Sequence, residues 1–136
     1  MTVLQLFSVG DTGTAINPSH CEQQLLSAAV MHLGLTMFEE MIFDEGQLVN
    51  GSLLDYQIAS IKDMPQSFKS IVVQVPHEDG PFGAKGAGET GALTVAPAIA
   101  NAIQDAVGVR IRDLPITAEK VLRALVQEKE NGVGNN

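Results

Sequence analysis

The chain is poor in the residues that usually build disulfide, metal and nucleophile sites, with one cysteine and three histidines among 136 residues. A lone cysteine, Cys21, cannot form a disulfide within the chain or hold an iron–sulfur cluster. His20, His32 and His77 show none of the spacings of zinc ligands, such as H-E-x-x-H, so no metal-ligating side chains are expected. The G-x-S-x-G motif of serine hydrolases is also absent from the sequence.

Basic residues are scarce too, with eight Lys and Arg against sixteen Asp and Glu, which gives a net charge of −8. Because no basic run can neutralise phosphates, neither nucleic acid nor an anionic membrane is an expected partner. No apolar run approaches the length that spans a bilayer. Residues 3–9 are too short, and lack the basic flank, for a signal peptide. We therefore expect a cytoplasmic protein.

The remaining pattern predicts a two-layer α+β fold, in which helices pack against a mixed β-sheet within one domain over residues 1–130. The predicted elements are a strand over 3–9, a helix over 19–40, a hairpin around 44–46, an internal strand over 70–76, a helix over 94–107, a strand over 109–113 and a helix over 117–130. Ser19 and Glu22 match a capping box for the first helix, and Thr117 is the expected cap of the last. Residues 131–136 are predicted to be a disordered tail.

A glycine-rich loop at residues 80–91 follows the internal strand and surrounds one carboxylate, that of Glu89. Glycine backbone lets a ligand approach closely, and loops between rigid elements often carry function. Residues 86–91 also match the dinucleotide fingerprint G-x-G-x-x-G, but they lie too far from the strand, and Glu89 would repel a pyrophosphate. An ordinary turn whose carboxylate caps the helix that begins near Thr94 stays open as an alternative.

Several motifs in order are more specific than this loop alone. They are DTGTAINP at 11–18, shorter stretches at 44–48, 51–56 and 62–65, GPFGAKGAGE at 80–89, APAIANAI at 96–103 and VRIRDLP at 109–115. Together they resemble the C-terminal end of the molybdopterin-binding subunit of the xanthine dehydrogenase and aldehyde oxidase family, the molybdenum hydroxylases. The resemblance spans roughly residues 3–125.

The resemblance implies a molybdenum–molybdopterin cofactor, in its cytosine dinucleotide form, shared with the remainder of the molybdenum subunit. It implies that Gln24 reaches the metal end of the cofactor and that the backbone of Ala87 and Gly88 closes on it. Glu89 is implied to be the general base on the Mo–OH group while an aldehyde or N-heterocycle, the small-molecule substrate, is oxidised with water-derived oxygen. FAD and 2Fe–2S clusters are expected on other subunits.

Two functions from different classes follow. In the first, the chain is part of an oxidoreductase. By itself it is then expected to be inactive, to hold no stoichiometric cofactor and to self-associate through an exposed apolar surface. In the second, it is a catalytically inactive domain that serves as an assembly or binding module.

Overall fold

The computed structural model describes residues 1–133, which form three α-helices and four short strands. The helices are α1 (Pro18–Met37), α2 (Val95–Val107) and α3 (Ala118–Val133), and the strands are β1 (Gln5–Asp11), β2 (Phe43–Asp44), β3 (Gln47–Leu48) and β4 (Ser67–Val73). Parallel and antiparallel pairings are both present, but in separate two-stranded sheets, β1–β4 and β2–β3. No helix in this part of the chain combines the length and apolar character needed to cross a bilayer.

The chain forms two compact units. The first, called the strand unit here, contains residues 2–33 and 59–95 and therefore β1, most of α1, β4 and the glycine-rich loop. The second, the helix unit, contains residues 34–58 and 96–133, together with Met1. Every candidate site residue predicted from the sequence lies in the strand unit.

The strand unit is built on the parallel pairing of β1 with β4, which runs from Gln5 opposite Ser67 to Asp11 opposite Val73. One face of this sheet packs against α1. A Cβ atom placed on Gly10 would lie only 2.6 Å from the side chain of Leu25, which is fully buried. A larger residue at position 10 would therefore displace the Leu25 side chain from this contact.

The start of α1 differs from the prediction. The helix begins at Pro18, and the Oδ1 atom of Asn17 accepts a hydrogen bond from the backbone N–H of His20 at 3.1 Å. Asn17 is thus the cap, and the predicted capping box of Ser19 and Glu22 is wrong. The reason is local, because proline favours the first helical position and moves the cap to the residue before it.

The predicted internal strand is also wrong in its position and surroundings. It was expected over 70–76, but β4 begins at Ser67, ends at Val73 and pairs only with β1 among the described residues. Ile71 and Val73 are 51% and 37% exposed, so their apolar character does not reflect burial within this chain. Residues 77–93 form a long loop that contains the glycine-rich loop, and a short 3-10 helix at Pro81–Gly83 lies within it.

In the helix unit, most predicted elements are present but one is not. The β2–β3 hairpin turns through Glu45 and Gly46 at φ 47° and 84°, a conformation that favours glycine. The strand predicted over 109–113 is absent, because no described strand lies beside this segment to pair with it. Val109 is instead held by burial, at 1% exposed.

The boundaries of the other two helices follow the sequence well. Helix α2 begins one residue after the predicted start and ends where predicted. Thr117 caps α3 as expected, since its Oγ1 atom accepts a hydrogen bond from the N–H of Lys120 at 3.2 Å. Helix α3 continues to Val133, three residues beyond the predicted end, and the rest of the predicted tail, 134–136, lies outside the described residues.

Asp11, the last residue of β1, ties the glycine-rich loop to the ends of both strands. Its Oδ1 atom accepts hydrogen bonds from the N–H groups of Gly13 at 2.9 Å and Val75 at 3.1 Å. Its Oδ2 atom accepts one from the Lys85 ammonium at 2.5 Å, and the Lys85 N–H donates to the Thr12 carbonyl at 2.9 Å. The Lys85 hydrogen bond and then the two backbone hydrogen bonds lower the pKa of the Asp11 carboxyl to about 2.

We predict that this carboxylate makes the strand unit sensitive to acid. The pKa of Asp11 is lower in the folded chain than its ordinary value of 3.8. Its contribution to the free energy of unfolding is therefore complete above pH 3.8 and is lost as the pH falls towards about 2. Asp11→Asn should lower stability at neutral pH and flatten its decline between about pH 5 and pH 2, measured by urea unfolding. Asp79→Asn, an exposed control in the same unit, should keep the wild-type decline, and an equal decline in all three proteins would contradict this assignment.

Candidate functional site

Two segments that are distant in sequence meet on the first half of α1. The Nε2 atom of Gln24 donates a hydrogen bond to the carbonyl oxygen of Gly88 at 2.6 Å, across 64 residues. Both residues are exposed. The structure therefore brings Gln24 beside Ala87, Gly88 and Glu89, the residues that the sequence marked as a possible site.

The backbone on either side of Glu89 is held against β1 and α1. The preceding residue is held by Gln24, as described above. On the other side, a Cβ atom placed on Gly91 would lie 2.7 Å from the carbonyl oxygen of Leu25 and 2.9 Å from the hydroxyl of Ser8. The carbonyl of Glu89 also accepts a hydrogen bond from the N–H of Ala92 at 3.0 Å. The position of Glu89 is thus fixed by its neighbours.

The side chain of Glu89, in contrast, is exposed and has no partner within the part of the chain whose side chains are described. The alternative role of Glu89, as a cap of α2, is not supported by a hydrogen bond, because none joins its described side chain to the start of α2 at Val95. A carboxylate on a fixed backbone with no internal partner is suited to receive a proton from a bound group.

The five glycines of the loop fall into two groups. Cβ atoms placed on Gly80, Gly83 and Gly91 would lie 2.1, 2.8 and 2.7 Å from other atoms of the chain, so the fold itself requires these glycines. Cβ atoms on Gly86 and Gly88 would have no atom within 4 Å, and neither residue has a positive φ. The open space beside Gly86 and Gly88 is the kind of surface that a closely approaching ligand can occupy.

Two features that shape the first half of the loop could not be predicted from the sequence. Phe82 has a φ of 56°, a left-handed conformation that is rare for a bulky residue, and its side chain is 89% exposed. No sequence pattern predicts this conformation. The Asp11–Lys85 ion pair was missed for a different reason, because its partners are 74 residues apart and spacing alone cannot pair them.

The described part of the chain contains no group of three or more His, Cys, Asp or Glu side chains that could hold a metal ion. Surface hollows occur in each of the two units. One, of about 580 Å³, is lined by Leu4, Gln5, Gln66 and Ser67, and the other, of about 200 Å³, by Met41, Leu48, Asn50, Gly51, Leu53 and Tyr56. Neither of these hollows is lined by Gln24 or Gly88, which are both exposed.

The sequence has clear relatives among known proteins. Residues 1–65 match the family described as the molybdopterin cofactor-binding domain. The probable hypoxanthine oxidase XdhD of Escherichia coli K12 is 38% identical over 122 residues, which are 89% of this chain and 13% of that protein. The aldehyde oxidoreductase molybdenum-binding subunit PaoC of the same organism is 34% identical over 125 residues, 90% of this chain and 17% of that protein. The chain thus spans less than a fifth of the length of these relatives.

Solved structures give the same result and confirm the predicted α+β class. Quinoline 2-oxidoreductase from Pseudomonas putida 86 superposes with a TM-score of 0.84 at 33% identity, covering 93% of this chain and 16% of that one. Sequence and structure therefore agree on both the fold and the kind of subunit. The chain belongs to the xanthine dehydrogenase and aldehyde oxidase family of molybdenum oxidoreductases and corresponds to a small part of its molybdopterin-binding subunit.

Proposed function

We propose that this chain supplies the general base, Glu89, to a molybdenum hydroxylase that oxidises an aldehyde or an N-heterocycle with oxygen derived from water. The relatives are named as an aldehyde oxidoreductase, a probable hypoxanthine oxidase and a quinoline oxidoreductase. Their named substrates share an electron-poor carbon bonded to oxygen or nitrogen. The observation that carries the proposal is the Gln24–Gly88 hydrogen bond, which fixes the loop while the neighbouring Glu89 carboxylate stays free.

The residues of the site fit a pterin-type cofactor. The open space beside Gly86 and Gly88 would admit a group close to the backbone of Ala87 and Gly88. The amide of Gln24 donates one N–H to the carbonyl of Gly88. Its oxygen can still accept a hydrogen bond, and its second N–H can still donate one. When bound, the cofactor supplies the two-electron oxidation, which no side chain of the site can perform.

Glu89 would then move the proton that the reaction releases from water. Its carboxylate oxygens are the acceptors, and its fixed backbone sets the distance that the proton must travel. Because this carboxylate is exposed in the chain by itself, the surfaces that exclude water from it must come from the rest of the enzyme. The isolated chain is for this reason proposed to be inactive.

The same proposal covers the partners. A subunit remainder would enclose the cofactor, in the cytosine dinucleotide form, and separate subunits in the cytoplasm would carry FAD and 2Fe–2S clusters. Support comes from the short span of the chain relative to PaoC, which is named as a molybdenum-binding subunit.

Glu89→Gln should abolish turnover in the assembled enzyme and leave the molybdenum content near normal. The amide keeps the size of the side chain but cannot accept the proton, and loss of a general base lowers the rate by about 10²–10⁴-fold. Steady-state kinetics and metal analysis on the same preparation test this. Glu78→Gln changes an exposed glutamate two residues before the glycine-rich loop. This control should keep full activity. Wild-type turnover in a molybdenum-replete Glu89→Gln enzyme would show that Glu89 is not the general base.

Gln24→Ala should be milder, because it removes one hydrogen bond to the loop and no proton acceptor. The bond contributes about 0.5–1.5 kcal/mol, so kcat should fall by roughly tenfold or less, with some loss of molybdenum. Gln23→Ala, one residue earlier on the same exposed part of α1, is the matched control. Equal effects of the two substitutions would show that the Gly88 contact has no role.

Gly88→Ala should reduce the molybdenum content of the assembled enzyme while leaving the melting temperature of the isolated chain unchanged, since the added methyl group meets no protein atom. Gly91→Ala should instead lower the melting temperature of the isolated chain, because its methyl group would overlap the carbonyl of Leu25. Thermal unfolding and metal analysis separate the two effects. A normal molybdenum content in Gly88→Ala would remove the support for a cofactor beside this residue.

A further inference from the structure

The β1–β4 sheet has one covered face and one bare face. The bare sheet face consists of the exposed apolar residues Phe7, Val9, Ile71 and Val73, which are 50%, 56%, 51% and 37% exposed. Val9 lies directly opposite Ile71 in the parallel register, and Phe7 and Val73 extend the same face along the two strands. These four side chains form one apolar strip.

The covered face of the same strands shows that this exposure belongs to one side of the sheet and is not fraying. Ser8 and Gly10 alternate with Phe7 and Val9 along β1, and both are buried. The α1 helix and the glycine-rich loop lie on this side, at Leu25 and Gly91. The sheet therefore has its first layer and lacks its second.

A parallel sheet with one bare apolar face is incomplete as a structure. Parallel sheets occur almost only with both faces covered, and two strands alone are marginally stable in water. A contiguous exposed apolar strip of this kind marks a surface that another protein element covers. Charged residues lie only at the two ends of the strip, Lys69 opposite Phe7 and Asp11 opposite Val73, and Asp11 is paired with Lys85. The element that covers the central pair, Val9 and Ile71, is therefore expected to be apolar.

We propose that the bare sheet face is the docking surface for the remaining part of the molybdenum-binding subunit, which covers Val9 and Ile71 with an apolar layer. This rests on the proposed function, in which the chain works as part of such a subunit. The relatives indicate the occupant, because more than four fifths of the length of each matched subunit lies outside this chain. Permanent interfaces are more apolar than transient ones, which fits the apolar centre of the strip at Val9 and Ile71.

Photo-cross-linking in the assembled enzyme tests the identity of the occupant. A benzophenone amino acid is placed at Val9, the chain is tagged and co-expressed with its subunit remainder and partner subunits, and the cross-linked peptides are identified by mass spectrometry. We expect peptides of the molybdopterin-binding subunit. The same probe at Glu128, an exposed position on α3, controls for random capture and should give a different pattern. A second copy of this chain, an FAD or iron–sulfur subunit, or no product at Val9 would overturn the proposal.

Charge substitutions test whether the face holds the assembly together. Val9→Lys and Ile71→Lys should each lower the amount of subunit remainder that co-purifies by at least about tenfold, because an unpaired charge would be buried. Leu122→Lys, at a position 62% exposed on α3, should change it less than about twofold. Unchanged thermal unfolding of the isolated variants shows that they fold, and co-purification at the wild-type level would then contradict the proposal.

The two hypotheses fail in different ways. If the Val9→Lys variant still forms a molybdenum-containing complex, the proposed docking surface is wrong and the proposed function is unaffected. A wild-type chain that is recovered alone and without molybdenum, despite co-expression, removes both.

Discussion

The close contact of α1 with the ends of β1 and the glycine-rich loop is the constraint on which the strand unit depends. Leu25 is fully buried between Gly10 of the strand and Gly91 of the loop, and neither position has room for a Cβ atom. Gln24 comes directly before Leu25 on the helix. The contact of Leu25 therefore also sets the position of the Gln24 amide, which donates a hydrogen bond to Gly88. Core packing and the geometry of the site therefore have one origin. Any change that moves α1 outward also moves the loop away from Gln24.

The elements with strong local signals could be predicted from the sequence. Helix α2 and the cap of α3 by Thr117 follow from apolar periodicity and from a hydroxyl at the right place, which are properties of a few neighbouring residues. The cap of α1 shows the limit of this method. Two competing local signals, Ser19 with Glu22 and Asn17 with Pro18, both fit the rules, and only the structure separates them.

The predictions that failed depend on what lies beside a segment. An apolar run such as Ile71–Val73 is compatible with an internal strand or with a strand whose partner belongs to another part of the protein. Residues 109–113 have a strand-like composition, but none of the strands described, within residues 1–133, lies beside them to pair. At the site, the residue identities pointed to Gln24 and Glu89 through a resemblance. That Gln24 reaches Gly88, and that Lys85 reaches Asp11, required the fold.

The parallel pairing of β1 with β4 has a consequence for the order of folding. Gln5 must find Ser67 across nearly half of the chain, and closing such a long loop costs entropy before any contact is gained. Parallel strands joined by long connections form slowly for this reason. The loop that carries Glu89 is anchored to the ends of both strands through Asp11, so it can take its final shape only after they have paired. The site is therefore expected to be among the last parts of the strand unit to form, and a cofactor held at the loop would bind only after β1 and β4 have paired.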